Sequence, residues 1–496
     1  MAVGRIPLAA PAGEREPGDA KDPLLKNCYK ETVNEQSGAP MGDATRDTSQ
    51  KVVYVQKRPG LKSYDDLSAA TTDTARGVTT WEGRVYTVLG DEIFSGETDL
   101  GQLQTSSGRL HFDVAIDAEA PSENVLVFQD GTNIYFVDDE NNIEYAAQDG
   151  ADIDIENLPA SMVPGIVVLD QYVFVMDSAG TIYNSTVGDV TAGYSDTVVL
   201  EMRLDDGVRI IRYINYLIGF GEKTIEILYD AANPTGSPLT RFEGMGQLIG
   251  CASANTVANC ENRVAFVAQG EASGRYVGMF DKGFAIDRIS TQAIDEILDK
   301  EGTNLANAYA YHMRVGGHDL YVLTLPTTAQ RTFVYDFDEK DWYEWTSDVS
   351  DTESYFTGYD SCALDGTTIV LDEDNGLLYD LDTETYQDNT GSAQTIKVEI
   401  RTRKHDMGTM QNKFMWRLQA IGDLNSSSGT ISIEWSDDDY QTWSTARNQD
   451  LDNHQSWLTR CGMFKRRAFR IKHQQNLPMR LSHLEANGST GHYGAS

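Results

Sequence analysis

The amino-acid sequence predicts an all-β fold: an irregular β-propeller of six or seven blades, with an N-terminal extended arm and a C-terminal β-sandwich-like module. The first observation behind this is a recurring pattern. From Thr79 onward, a turn cluster of Gly, Asp or Asn leads into a short alternating run rich in Val, Ile, Tyr and Phe. The copies are Glu82-Gly83-Arg84-Val85-Tyr86, Gly131-Thr132-Asn133-Ile134-Tyr135, Asp170-Gln171-Tyr172-Val173, Asn215-Tyr216-Leu217, Glu261-Asn262-Arg263-Val264, Gly317-His318-Asp319-Leu320 and Asp365-Gly366-Thr367-Thr368-Ile369. Second, several copies pass directly into another turn and strand, as in Met176-Asp177-Ser178-Ala179-Gly180-Thr181-Ile182-Tyr183, which is the signature of hairpins. Third, the apolar markers Val85, Ile134, Val173, Leu217, Val264, Leu320 and Ile369 recur every 39 to 56 residues. Sheets of that size arranged in a ring bury their faces against one another. The spacing is irregular and carries no Gly-His or Trp-Asp signature, so a long β-sandwich is the structural alternative.

Taken in chain order, residues 1–75 read as an arm or platform segment. Pro, Gly, Asp and Lys dominate Pro7 to Asp22, and apolar alternation begins only at Val52-Val53-Tyr54-Val55. Residues 76–394 hold the propeller. One helix interrupts it: Ser290 or Thr291 can cap the start, Ile294, Ile297 and Leu298 form an i, i+3, i+4 stripe, and Gly302 ends it. Residues 395–496 form the C-terminal module, with strands expected at Ile396–Arg401, Gly429–Trp435 and Ala468–Ile471. Between His454 and Leu484 there is no Asp or Glu, whereas Arg460, Lys465, Arg466, Arg467, Arg470, Lys472 and Arg480 are all present. This is a basic island in an acidic chain.

The 496 residues carry 40 Lys and Arg against 76 Asp and Glu, a net charge of −36. Such a surface repels phosphate, which excludes tight wrapping of nucleic acid by the chain as a whole. Length suggests about three domains, and the aromatic content is too high for a disordered chain. No secretory signal is read in Met1 to Ala12, and no stretch reaches the ~18 apolar residues of a membrane helix. The five cysteines, Cys28, Cys251, Cys260, Cys362 and Cys461, are scattered and form no CxxC pair, as expected of buried, reduced thiols in a cytosolic assembly environment.

Catalytic and ligand-binding patterns are largely missing. None of the eight histidines lies in an HExxH or Cys/His spacing, and His312 and His318 flank a turn without an evident third ligand. The acidic clusters Asp138-Asp139-Glu140, Asp372-Glu373-Asp374 and Asp437-Asp438-Asp439 lack the rest of a calcium loop and fit hairpin turns. Ser436-Asp437-Asp438-Asp439-Tyr440-Gln441-Thr442-Trp443 is similar to the Asp-box of sialidase-type propellers, with Tyr440 where that pattern has Gly; the box is a structural turn. No phosphate loop, GxSxG elbow or cysteine nucleophile appears. We therefore expect no catalytic residue, cofactor or metal.

The run Arg209-Ile210-Ile211 through Gly219-Phe220-Gly221-Glu222-Lys223-Thr224-Ile225-Glu226 resembles the tail-hub or nozzle proteins of short-tailed, podovirus-type bacteriophages, also called packaged-DNA stabilisation proteins. Arg58-Pro59-Gly60-Leu61, Gly250-Cys251 with Asp287 to Ile294, the segments Gly317 to Pro326 and Arg331 to Asp336, and Trp457, Arg460, Gly462, Arg466, Arg467, Phe469 and Arg470 agree in the same order. The likeness spans about residues 50 to 480, with Phe333 where many relatives carry Trp. It implies a non-enzymatic virion tail protein, assembled in the host cytoplasm. Six copies would form a ring under the portal adaptor, contact tail fibres or tailspikes and a plug or needle, retain packaged double-stranded DNA, and conduct it outward without sequence-specific binding. Arg460, Lys465, Arg466 and Arg467 are the expected partner-facing charges. The alternatives are a propeller glycoside hydrolase, which needs two carboxylates converging at the ring axis, and a receptor-binding tail protein acting on host surface polysaccharide.

Overall fold

A computed structural model describes residues 2–9, 24–36, 49–67, 73–117, 123–203, 205–271, 274–280, 283–349, 352–374, 376–389, 392–425 and 428–490. Seven successive sheets form the blades, antiparallel throughout except for the short parallel pairing of Ile153–Asp154 in the second. Blades 1 to 6 span residues 75–102, 111–154, 167–199, 207–241, 250–288 and 309–349; blade 7 consists of 358–382 and a strand from near the N-terminus. A separate apolar layer lies between each pair of neighbours. Val88 and Ile93 of blade 1 meet Phe128 and Tyr135 of blade 2, and Val127 and Phe136 then meet Val173 and Val175 of blade 3. The layers continue with Phe174 against Leu217, Phe220 against Phe266, Val267 against Leu323 and Val322 against Val370. Leu371 of blade 7 packs with Val78 of blade 1, and the ring is closed. Both faces of every sheet are thereby covered, which explains why the strands are mostly apolar rather than cleanly alternating.

The repeated turn clusters are the blade hairpins. Glu82 and Gly83, Asp170 and Gln171, and Asp365 and Gly366 all have positive φ, as two-residue turns between twisted strands require. Two structural facts account for the irregular spacing. Ile134 lies in the second hairpin of blade 2, one strand later than the other markers. The longest interval contains the helix Gln292–Glu301, inserted between blades 5 and 6. Thr291 caps that helix by accepting from the Ile294 amide, Ile294 and Leu298 are buried, and Gly302 ends it at φ 59°.

The ring is closed by chain from its far end. Gly60–Asp66 pairs antiparallel with Leu377–Asp382 and forms the outer strand of blade 7. At Gly60 a Cβ would lie 2.2 Å from the Gln387 carbonyl oxygen, so only glycine allows that approach. Just before it, Arg58 is fully buried, and all five guanidinium N–H groups are used. Nη1 and Nη2 donate to Asp388 at 2.9 and 2.5 Å, Nε donates to Asn27 Oδ1 at 3.1 Å, and the remaining two reach the Pro59 and Thr346 carbonyls. Asn27 in turn donates to Thr346 Oγ1 and the Lys397 carbonyl. One cluster therefore ties the N-terminal chain to blade 6 and to both ends of the segment leaving blade 7.

The described part of residues 1–75 is divided among other sheets. Ala2–Pro7 pairs with Arg480–Thr490, and the hairpin Cys28–Gln36/Ser49–Lys57 joins the same sheet through Gln56 and Val55. Leu24–Lys26 is inserted between the outer strand of blade 6 and Val398–Arg401, making blade 6 continuous with a sheet of the C-terminal module. Residues 10–23, most of the Pro7 to Asp22 stretch, lie outside the described residues. The two sheets of the C-terminal module enclose one core in which Ile6 and Val55 pack with Leu418, Ile433, Phe469 and Leu484. Val398–Arg401, Thr430–Ser436 and Ala468–His473 occupy the strand positions expected from the sequence.

The Arg58 cluster predicts a sharp contrast in urea unfolding. Arg58→Ala leaves Asp388 buried and unpaired and costs about 3–5 kcal/mol. Lys62→Ala, which removes an exposed pair to Asp382 at 3.8 Å, changes stability by less than about 1 kcal/mol.

Candidate functional site

In a propeller, chemistry is first sought at the axis, where the inner strands converge. Here Arg109, on the segment between blades 1 and 2, reaches across the ring: Nη1 donates to the carbonyls of Asn255 in blade 5 and Ala310 in blade 6, and Nη2 pairs with Asp360 of blade 7 at 3.0 Å. Arg209 of blade 4 donates through Nη1 to the Ala254 and Val257 carbonyls, and its Nη2 lies 3.2 Å from His111 Nδ1 of blade 2. Tyr321 of blade 6 donates to the Thr256 carbonyl at 2.8 Å. Non-adjacent blades are thus cross-linked by side chains that cross the centre. The carboxylate that the axial arginines meet is Asp360, and it is held in an ion pair. Among the described residues, the two opposed carboxylates of a glycosidase are not formed there.

Acidic residues instead hold the blade hairpins together. Asp130 accepts from the Thr132 and Asn133 amides and from Tyr135 Oη at 2.7 Å. Asp177 accepts from the Thr181 amide and Tyr183 Oη, and Asp372 from the Asp374 amide and Tyr379 Oη. Asp336 accepts from the Asp338 and Glu339 amides and Tyr343 Oη and lies 2.9 Å from His318 Nδ1. His318, Asp336 and Asp338 bring one ligand-type atom each to within 4.8 Å, so His318 has the neighbours that its sequence spacing did not reveal. The oxygens of Asp336 are already occupied by this turn, and the group acts as a clasp.

The Asp-box-like segment is also a pinned turn. Asp438 accepts from the Thr442 amide and from the hydroxyls of Thr442 and Ser436, and these bonds hold its carboxyl at about 2. Tyr440, at the Gly position of the box, has φ 70°.

The basic island is largely neutralised by residues distant in sequence. Arg467 is 1% exposed and forms a bidentate pair with Asp437 at 2.7 and 2.8 Å, so the sequence assignment of Arg467 as partner-facing gives way to an internal role. Arg466 pairs with Asp439, Arg470 and Lys472 with Glu434, and Arg480 with Glu31 and Asp423. Arg460 and Lys465 are exposed and form no ion pair among the described residues.

Beside them lies a feature that the charge pattern concealed. Phe414 and Trp416, on the strand Lys413–Gly422, are 50% and 42% exposed. Met463 is the cross-strand partner of Phe414, and the Arg460 amide donates to the Trp416 carbonyl. Met407 extends this apolar face, which includes a recess of about 270 Å³ lined by Met407, Phe414 and Phe464. The only sequence signal was the apolar run Phe414-Met415-Trp416, which reads equally well as a buried strand.

Residues 41–386 match the family described as bacteriophage P22 Gp10, beta-propeller. That is well over half of the sequence, and it includes Arg58 and all seven blades. The chain belongs to this family of phage DNA-stabilisation structural proteins. The family match ends before the C-terminal module, so the likeness noted there at Trp457 to Arg470 is outside it. No curated protein matches the chain. Among solved structures, the computationally designed Ika8 protein is 11% identical over 65% of this chain and 99% of its own, with a TM-score of 0.38. BamB from Moraxella catarrhalis is 10% identical over 72% and 98%, with a TM-score of 0.37. At these scores neither likeness carries an argument.

The histidines of this family member give a pH signature. Burial, then Lys57, pushes His473 down to about 4, and burial does the same to His405. The unfolded chain takes up protons below about 6.5 that the folded chain refuses, so stability is lost as pH falls from there toward 4. His473→Gln makes the difference in Tm between pH 7.5 and pH 5 smaller than in wild type, as read by thermal melts at constant ionic strength.

Proposed function

We propose that this phage stabilisation protein forms a ring at the virion tail, below the portal adaptor, and that packaged DNA passes between subunits rather than through a propeller. The carrying observation is the apolar face around Phe414 and Trp416 with the unpaired Arg460 and Lys465 at its margin. Exposed apolar surface rimmed by charge is what subunit contacts bury. In a chain of net charge −36, two free cations beside it favour the acidic surface of a neighbouring copy. The axis supports the same reading, because a polynucleotide has no path through a centre crossed by Arg109 and Arg209. A predominantly acidic lumen would let DNA slide without adhering. In this proposal the protein is a non-enzymatic scaffold that retains the genome and conducts it at ejection.

Two measurements test this. In native mass spectrometry or mass photometry, the double variant Phe414→Asp/Trp416→Asp dissociates the ring at concentrations where wild type is assembled. Loss of two aromatic anchors weakens the contact by roughly 30-fold or more, while the melting of the subunit itself is retained. Arg460→Glu/Lys465→Glu weakens assembly and makes it less sensitive to salt. Unchanged assembly in both would retire the interface. Antibody labelling of purified particles places the protein on the tail axis if the reading holds; label at the periphery would favour a receptor-binding role.

A further inference from the structure

The axial cluster has more positive charge and more hydrogen-bond donors than its protein partners satisfy. Arg109 and Arg209 are both more than nine-tenths buried, and their Nη1 atoms bind the consecutive carbonyls of Asn255 and Ala254, which sets the two guanidinium groups side by side. The charged groups that act on this cluster are these two arginines and Asp360. Burial, then repulsion from Arg109, lowers Arg209 to about 9, so it is still charged at neutral pH. His111 contributes no charge, because burial and both guanidinium groups drive its pKa well below the usual value. The balance is one net positive charge.

The donors are also in excess. Arg109 Nε, Arg209 Nε and His111 Nε2 are buried without a hydrogen-bond partner. Arg209 Nη2 can only donate, so His111 Nδ1 accepts from it and the imidazole proton resides on Nε2. Three orphaned donors thus stand against one orphaned acceptor of the cluster, Asn255 Oδ1. Leaving a buried charge uncompensated costs several kcal/mol, and a water molecule offers donors and acceptors equally without neutralising charge.

We propose that the propeller axis binds one small monovalent inorganic anion, of the halide class, between Arg109 and Arg209. The single excess charge selects a monovalent ion, since a dianion would only reverse the imbalance. The ion completes the links among blades 2, 4, 5, 6 and 7 and acts as a central staple.

The test uses the full-length protein. Crystals grown in sodium bromide are expected to show an anomalous peak within hydrogen-bond distance of Arg109 Nε or Arg209 Nε. Melting in sodium chloride or bromide is expected to give a saturable rise in Tm of about 2 °C or more over sodium gluconate at the same ionic strength. Arg209→Gln is expected to lose both responses, and Lys62→Ala to keep both. Bromide only at surface sites, water alone at the axis, or a Tm that ignores anion identity overturns the proposal. The wild-type measurements decide it even if Arg209→Gln does not fold.

Discussion

A ring of seven sheets must be held shut, and in this protein the closure depends on the Arg58 guanidinium. The strand that completes blade 7 arrives from the start of the chain and pairs with strands more than 300 residues later. Bringing such distant segments together costs chain entropy before any contact rewards it. Arg58 concentrates the reward: one planar, always charged group joins Asn27, Thr346 and Asp388 and packs against Trp345 and Phe356. With the last blade complete, each of the seven apolar layers has two walls. Without it, blade 7 would present an unpaired edge.

The acidic composition is put to a second use inside this ring. Asp130, Asp177, Asp336 and Asp372 each clamp a hairpin by accepting from turn amides and a tyrosine hydroxyl. A carboxylate serves this role better than a neutral group because bonds to charge are stronger. Part of the net −36 is therefore structural, and the rest sets the field of the surface. The basic island behaves in the opposite way: read along the chain it is a block of cations, but folding interleaves it with Asp437, Asp439, Glu434, Glu31 and Asp423. What remains without an ion pair among the described residues is Arg460 and Lys465, next to an exposed apolar face.

The propeller's centre is crossed by Arg109 and Arg209, and a sheet connection runs to the C-terminal module through Leu24–Lys26. The exposed Phe414, Trp416 and Met463 are on the module, away from the blade-to-blade layers.

Local patterns announced the blades because a hairpin turn is a short-range object: Asp365-Gly366 or Glu82-Gly83 requires positive φ whatever surrounds it. The helix after Thr291 was legible for the same reason, through its cap and its apolar stripe. The reading of residues 1–75 as one arm missed what their described strands do, because a strand's partner is not encoded in its own alternation; the partners of Gly60–Asp66 and Ala2–Pro7 lie at the far end of the chain. For the same reason Arg467 read as a surface charge until Asp437 was placed against it. The sequence by itself determined the fold class, the approximate blade count, the helix and the family likeness, all of which rest on contacts or motifs within some tens of residues. Tertiary structure alone decided seven blades, the meeting of Arg109 and Arg209 at the axis, and which cations and aromatics stay exposed, because charge balance and burial are sums over residues that are neighbours only once the ring has closed.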